Sequence, residues 1–228
     1  MRTAEQVKAE FFSTPRDSVR SLIEANVLPL EGRWLEPFAG AGAIIRAVDV
    51  YEVQEWWALE WRQSETEGLI KLLGDDSGHR VACPWDFFSD DAREWIQSVA
   101  PRVVISNPPN SRAFDAAVLL REWVPEAWLA LYQPLTFGSG MTKGRLEWLL
   151  RNTPDVLKTQ DRPDFVGTGG IQEYAWFVWP PSGAGPNLDF GWFCEFDGND
   201  YGPPRRTSGE FRVLPPPGWA PSTQEVLL

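Results

Sequence analysis

Two apolar periods alternate along the chain. Short runs that are apolar at nearly every position give way to stretches that are apolar every third or fourth position. The runs at 33–38 (RWLEPF), 55–60 (EWWALE), 80–83, 102–106 (RVVIS), 127–132 and 174–179 (YAWFVW) predict strands. The stretches at 43–50, 64–73, 89–99, 114–123 and 142–151 predict helices, with Ser89 or Asp90 capping the third. Alternation of this kind implies an α/β fold, a mostly parallel sheet covered on both faces, whose ligands gather at the carboxyl ends of its strands. After residue 180 the pattern stops and prolines and glycines accumulate, from Pro180, Pro181, Gly183, Gly185 and Pro186 to Pro215, Pro216 and Pro217. Residues 1–180 therefore read as one domain, and 181–228 as a strap or partly disordered tail too short for a large target-recognition domain.

Composition narrows the function classes. A chain of 228 residues suits one domain with a sizeable core. Its formal net charge of -11 argues against coating polyphosphate, because such binding draws on many Lys and Arg releasing counterions. A local basic groove remains compatible with that charge. Five basic residues between 138 and 162 (Lys143, Arg145, Arg151, Lys158, Arg162) follow Gly138-Ser139-Gly140, and Arg205, Arg206 and Arg212 form a second cluster. A mixed-charge helix surface explains the first group equally well. No apolar run marks a signal peptide, a lipid anchor or a membrane span, so a soluble cytoplasmic protein is expected. His79 is the single histidine, and Cys83 and Cys194 stand far apart, so neither a metal site nor a disulfide framework is expected. Of the 13 tryptophans, Trp56, Trp57, Trp61, Trp176 and Trp179 fall in or beside predicted strands and read as packing residues, while Trp192 and Trp219 read as pins for the strap.

The polar chemistry collects at the predicted strand ends. Glu36-Pro37-Phe38-Ala39-Gly40-Ala41-Gly42 joins the first strand to a helix, and its glycines permit a tight turn that a ligand can approach. A close-packed turn without a ligand fits the same residues. Glu60, at the end of the next strand, can accept hydrogen bonds from both hydroxyls of a ribose, which points to a nucleoside-containing ligand. The loop lacks the third glycine of a dinucleotide site and the Lys-Ser/Thr of a phosphate loop, which argues against NAD and nucleoside triphosphates. Asp86-Phe87 suits an adenine clamp, a carboxylate for the exocyclic amine and a ring for the base; an N-cap beside a core aromatic is the plainer reading. Ser106-Asn107-Pro108-Pro109-Asn110 ends the fourth strand with two residues that carry no N–H. The Asn107 side-chain oxygen and the Pro108 carbonyl can thus converge on both hydrogens of an amine, aligning its lone pair with an electrophile over the glycine loop.

In this order and spacing, Phe-Ala-Gly-Ala-Gly, Glu60, Asp86-Phe87 and Asn-Pro-Pro resemble the S-adenosylmethionine-dependent amino-methyltransferases, most closely the small bacteriophage-type DNA adenine N6-methyltransferases. Phe12-Ser13-Thr14-Pro15 with Val19 and Ile23 is similar to the family's extra cofactor motif. The segment Arg162-Pro163-Asp164-Phe165, Gly167 to Gly170 and 174–179 is similar to its late segment. The resemblance implies a class I Rossmann-like fold with a mostly parallel seven-stranded sheet and helices on both faces. It implies S-adenosylmethionine as cofactor, with Thr14, Pro15, Glu36, Phe38, Ala39, Gly40, Gly42, Glu60, Asp86, Phe87 and Asn107 around it. Asn107, Pro108, Pro109 and Asn110 would form the catalytic loop, acting without a metal on a base flipped out of DNA. The amine would attack the sulfonium methyl directly. Where the family carries an aromatic residue after Asn-Pro-Pro this chain has Asn110, and a stacked ring is worth about 1–3 kcal/mol per base. A tryptophan or phenylalanine elsewhere, with Phe114 and Phe165 as candidates, would have to supply such a ring. The same chemistry on cytosine N4, an RNA base or a protein glutamine is the nearest alternative, and a cofactor-binding protein without turnover is the alternative from another class.

Overall fold

In the computed structural model every position of β4 (Val103–Ser106) and of β7 (Tyr174–Trp179) is buried, which marks strands covered on both faces. The structure describes residues 13–51, 53, 55–74, 80–139, 142–158, 163, 172–182 and 212–213. The other strands are β1 (Arg33–Glu36), β2 (Glu55–Leu59), β3 (Val81–Ala82), β5 (Trp128–Pro134), β6 (Asp155–Lys158) and β8 (Arg212–Val213). They form one sheet in the order β3-β2-β1-β4-β5-β7-β6-β8. Neighbours among β1 to β5 pair in parallel, whereas β7 runs antiparallel to both β5 and β6.

The helices are α1 (Arg16–Glu24), α2 (Ala43–Val48), α3 (Thr66–Leu73), α4 (Asp90–Val99), α5 (Ala113–Trp123) and α6 (Lys143–Arg151). Alternation along the strands sorts them into two layers. Trp34, Val103, Ile105, Tyr132 and Trp176 face one side, packed with Leu22 of α1, Ile44 and Val48 of α2 and Leu69 of α3. Leu35, Val104, Leu131, Phe177 and Trp179 face the other, with Ile96 of α4, Ala116 and Leu120 of α5 and Leu149 of α6. This is the expected α/β architecture, helices on both faces of a mostly parallel sheet, with seven strands in β1 to β7. The two-residue β8, from the segment read as a strap, adds an eighth, parallel to β6.

Several expectations are corrected. The first strand stops at Glu36, because Pro37 and Phe38 already belong to the turn. Strand β6 and helix α1 were not anticipated from periodicity: four residues are too few to show a period, and α1 announces itself only through the Thr14-Pro15 resemblance. Trp61, read as a packing residue, is 40% exposed, whereas Trp56, Trp176 and Trp179 are buried. Ser89 is the N-cap of α4, its side chain accepting the Ala92 N–H at 3.1 Å. Phe12, His79, Gly140, Arg162, Asp164, Phe165, Gly167 to Gly170, Cys194, Trp192, Trp219, Arg205 and Arg206 lie outside the described residues, as does most of the strap. Among the described residues no helix is long and apolar enough to cross a membrane.

The turn from β1 into α2 depends on Gly42. It takes φ of +77°, and a Cβ there would lie 2.5 Å from Leu72 Cδ2 of α3. Close helix packing, as much as ligand access, therefore requires this glycine. Gly42→Ala is expected to destabilise the ligand-free protein by about 1–3 kcal/mol through backbone strain and overpacking. Urea unfolding checks this: a lower midpoint at unchanged slope is the expected result.

Candidate functional site

Strand order reverses between β1 and β4, so their following connections run to opposite faces and leave a crevice at the carboxyl ends. Both strands finish there on a buried polar residue. Glu36 Oε2 and Ser106 Oγ have no hydrogen-bond partner among the described residues. A native fold rarely leaves such atoms unsatisfied unless something else completes them.

Glu60 organises the glycine loop. It follows β2, is 4% exposed, and its Oε2 accepts the Gly40 N–H at 2.7 Å. Its Oε1 accepts the backbone N–H and the Nε–H of Arg62, both at 2.9 Å. The Ala39 N–H donates to the Leu59 carbonyl, so the loop is fastened to the end of β2 at two points. Glu36 lies beneath the loop, 2% exposed, and receives the Ile45 N–H. Burial first, and then the nearby Glu60 carboxylate, hold its carboxyl well above the usual carboxylate range.

Beside the loop a cleft of about 300 Å³ opens, at the small end of ligand-sized sites, roughly 300–1,000 Å³. Of the expected residues Phe38, Glu60, Asp86, Phe87 and Pro109 line it; Thr14, Pro15, Glu36, Ala39, Gly40, Gly42, Asn107, Pro108 and Asn110 do not. Phe87 is a core ring, packed on Phe38 at 4.7 Å, Phe88 at 4.9 Å and Trp123 at 5.1 Å. Asp86 is exposed, and its Oδ1 accepts the Phe88 N–H at 3.0 Å. The rings that reach the mouth are Trp61 and Trp85, 40% and 36% exposed. Arg112 also lines the cleft, its guanidinium carbon 3.6 Å from the centre of the Phe88 ring. Trp85, Phe88, Arg62 and Arg112 were missed in the sequence; exposed aromatic residues just past two strand ends were the available signal. Thr14 is buried and Pro15 precedes α1, whose Val19 and Leu22 sit on the α2 face of the sheet.

The Asn-Pro-Pro loop leaves β4 next to this cleft. Asn107 is half-buried, Pro108 buried, Pro109 half-buried and Asn110 exposed. The Pro108 carbonyl accepts from Gln133 Nε2 at 2.9 Å, and Asn110 Nδ2 donates to the Tyr174 hydroxyl at 3.1 Å. Phe114, a candidate replacement for the missing ring, is engaged in helix packing, 5.3 Å from Trp148 and under the Arg145 guanidinium. Arg145 is committed too: it donates to the Phe137 carbonyl at 2.7 Å, and burial lowers its pKa. Lys143 and Arg151 each lie 3.8 Å from Glu147, so the part of the basic group on α6 is a mixed-charge helix surface. Cys83 is a half-buried free thiol that donates to the Arg62 carbonyl at 3.2 Å. Among the described residues no cluster of His, Cys, Asp or Glu could hold a metal.

The fold has known counterparts. The M protein of the type I restriction enzyme EcoKI superposes with a TM-score of 0.56 at 13% identity, over 75% of this chain and 44% of that one. The type I restriction-modification methyltransferase subunit from Streptococcus thermophilus gives 0.54 at 12%, over 75% and 44%. A putative RNA methyltransferase from Pyrococcus horikoshii gives 0.54 at 14%, over 79% and 90%. The chain has the class I methyltransferase fold. It spans under half the length of the type I subunits it matches. No family model and no curated protein matches the chain in sequence.

The buried Glu36 carboxyl gives a stability signature. In the folded chain its neutral form is favoured, whereas the unfolded chain releases the proton in the ordinary glutamate range. The stability this group contributes is therefore complete below that range and is lost as pH rises toward the folded value. Glu36→Gln is neutral at every pH. Its melting temperature relative to the wild type should shift in the variant's favour as pH rises from about 4 to 8, a window that starts near the ordinary glutamate value. Ligand-free thermal melts across that window check the sign.

Proposed function

We propose that the chain transfers a methyl group from S-adenosylmethionine to an exocyclic amine, with adenine N6 in DNA as the target. The observation that carries this reading is Asn107-Pro108-Pro109 at the end of β4, beside a switch-point crevice that holds buried carboxylates. The residues fit the cofactor. Glu36 Oε2, buried and unpartnered among the described residues, is an acceptor for the cofactor's ammonium, and a cation there would draw the proton off its carboxyl. Glu60 would hold the ribose hydroxyls, which compete with Arg62 Nε for its Oε1. Trp61 and Trp85 offer faces for the adenine, and Asp86 offers its second oxygen to the adenine amine. Phe38 and Phe87 line the cleft, and Thr14, Pro15, Ala39, Gly40 and Gly42, which do not, would border the cofactor from the glycine loop and the start of α1.

S-adenosylmethionine supplies, when bound, a methyl group activated by the sulfonium. The chain's own part is positional. The Asn107 side-chain oxygen and the Pro108 carbonyl accept the two hydrogens of the target amine, which aims its lone pair into the crevice and stabilises the charge that develops on nitrogen. No strong base is required for this. The structural likeness to type I modification subunits and to a putative RNA methyltransferase supports a nucleic-acid target.

A second reading, cofactor binding without turnover, is favoured by Asn110: the side chain that follows Asn-Pro-Pro is a carboxamide tied to Tyr174, and it offers no ring to a flipped base. One experiment separates the two. Unmethylated DNA is incubated with tritiated-methyl S-adenosylmethionine and either the wild type or Asn107→Ala, and the product is digested to nucleosides. The first reading expects label in N6-methyladenine and a loss of roughly 10²–10³-fold in the variant, the scale for removing one preorganised polar group. Undiminished transfer by Asn107→Ala overturns the catalytic assignment. Cofactor binding by calorimetry with no transfer to DNA, RNA or protein supports the second reading.

A further inference from the structure

Gln133 is the one residue of β5 between Tyr132 and Pro134, and it is 1% exposed. Its carboxamide nitrogen donates to two main-chain carbonyls, that of Pro108 at 2.9 Å and that of Tyr132 at 2.7 Å. An amide nitrogen has two hydrogens and both are used. The Tyr132 bond ties the side chain to its own strand, while the Pro108 bond crosses from β5 to the loop that ends β4.

The loop needs such a tether. Pro108 and Pro109 carry no N–H, so this stretch cannot fix its carbonyls by donating to the neighbouring strand. Beyond the prolines the chain is caught again: Arg112 N–H donates to the Pro109 carbonyl at 2.8 Å, and Asn110 Nδ2 to the Tyr174 hydroxyl. Tyr174 pairs with Pro134 across the sheet, one step along from Gln133 opposite Ala175. The end of the β5–β7 ladder thus grips the loop at both flanks of Pro109.

We propose that Gln133 is a positioning residue for methyl transfer, setting the direction of the Pro108 carbonyl; this rests on the reading of that carbonyl as an acceptor for the target amine. A carbonyl oxygen has two lone pairs. With one directed at Gln133, the other is presented in a fixed direction to the amine, so the hydrogen it accepts and the nitrogen lone pair are set together. Gln133 makes no contact with substrate in this role. Its removal should therefore slow the aligned step and leave ground-state binding intact.

The test uses the full chain, tritiated-methyl S-adenosylmethionine and unmethylated DNA, with the wild type measured first. Gln133→Met keeps the length and removes both donors. Its kcat is expected to fall roughly 100-fold, the scale of an ångström-level misalignment, with KM for both substrates within about 2-fold. Gln133→Glu keeps the shape; its carboxyl can donate to one carbonyl only while protonated, so its kcat should climb as pH falls, a limb the wild-type profile lacks. A purely structural role would instead lower stability in both variants and add no ionisation to the rate. Gln133→Met turning over within 2-fold of the wild type, a rise in KM at constant kcat, or a Gln133→Glu pH profile that matches the wild type would overturn the inference and leave the methyltransferase reading standing. A wild type that labels neither DNA, RNA nor protein overturns that reading, and the inference falls with it.

Discussion

Two carboxyl groups are buried side by side at the carboxyl ends of β1 and β2, and most of what surrounds them is arranged to tolerate that. Glu60 is satisfied, by the Gly40 N–H on one oxygen and by Arg62 on the other. Glu36 is not, since Oε2 finds no partner among the described residues and burial beside Glu60 favours its neutral form. Burying a carboxyl with one oxygen unsatisfied among the described residues is costly, so a chain that keeps one here gives up folding stability in exchange for a prepared acceptor. The aromatic floor of Phe38, Phe87, Phe88 and Trp123 supplies the apolar burial that sustains such a site. A ligand carrying a localised positive charge removes the penalty, and S-adenosylmethionine meets that requirement where an anionic dinucleotide would aggravate it.

The Asn-Pro-Pro loop is a second local conflict resolved by long-range contacts. Two prolines make the backbone stiff but leave it without donors, so stiffness alone does not decide where the Pro108 carbonyl points. That direction comes from Gln133, twenty-five positions away in sequence. The antiparallel insertion of β7 beside β5 adds the Tyr174 hydroxyl to the same corner. Tyr174 lies 5.1 Å from Tyr132, whose hydroxyl pairs with Ser18 of α1 at 3.1 Å. Helix α1, the end of β5 and the loop after β4 therefore share one packed network that borders the crevice.

How much of this the sequence disclosed follows from how each feature is encoded. Strands buried on both faces are runs such as RVVIS and YAWFVW, and helices between them repeat on one side, so the layered α/β fold was legible from pattern alone. Glu36, Glu60 and Asn107-Pro108-Pro109 were legible because strand ends are where side chains meet in such folds. Gln133 was not, since a single glutamine inside an apolar run has no local signature and acquires its role only when β5 is laid beside β4. Trp61 and Trp85 were misjudged or missed for a related reason: an aromatic residue just past a strand end packs inward or faces a cleft according to how the next turn runs. Phe87, singled out as a cleft ring, does line the cleft, but from within the core, packed on Phe38, Phe88 and Trp123.

Charge is where the structure constrains the proposed target most. The whole chain carries -11, and the basic residues of α6 are occupied: Lys143 and Arg151 by Glu147, Arg145 by a carbonyl and two aromatic rings. A polyanion therefore gains little from counterion release at this helix, and affinity has to come from capture of one base and from contacts elsewhere. In the proposed reaction Asn110 would weaken that capture further, since a carboxamide stands where a ring would stack. On the proposed function, an enzyme built this way would bind its target weakly in the ground state and gain its discrimination at the amine, where Asn107 and a carbonyl held by Gln133 would accept two hydrogens in one fixed geometry. Precision in the loop would then matter more than grip on the duplex, which fits the convergence of three side chains (Gln133, Tyr174 and Asn110) and the Arg112 main-chain N–H on so short a segment.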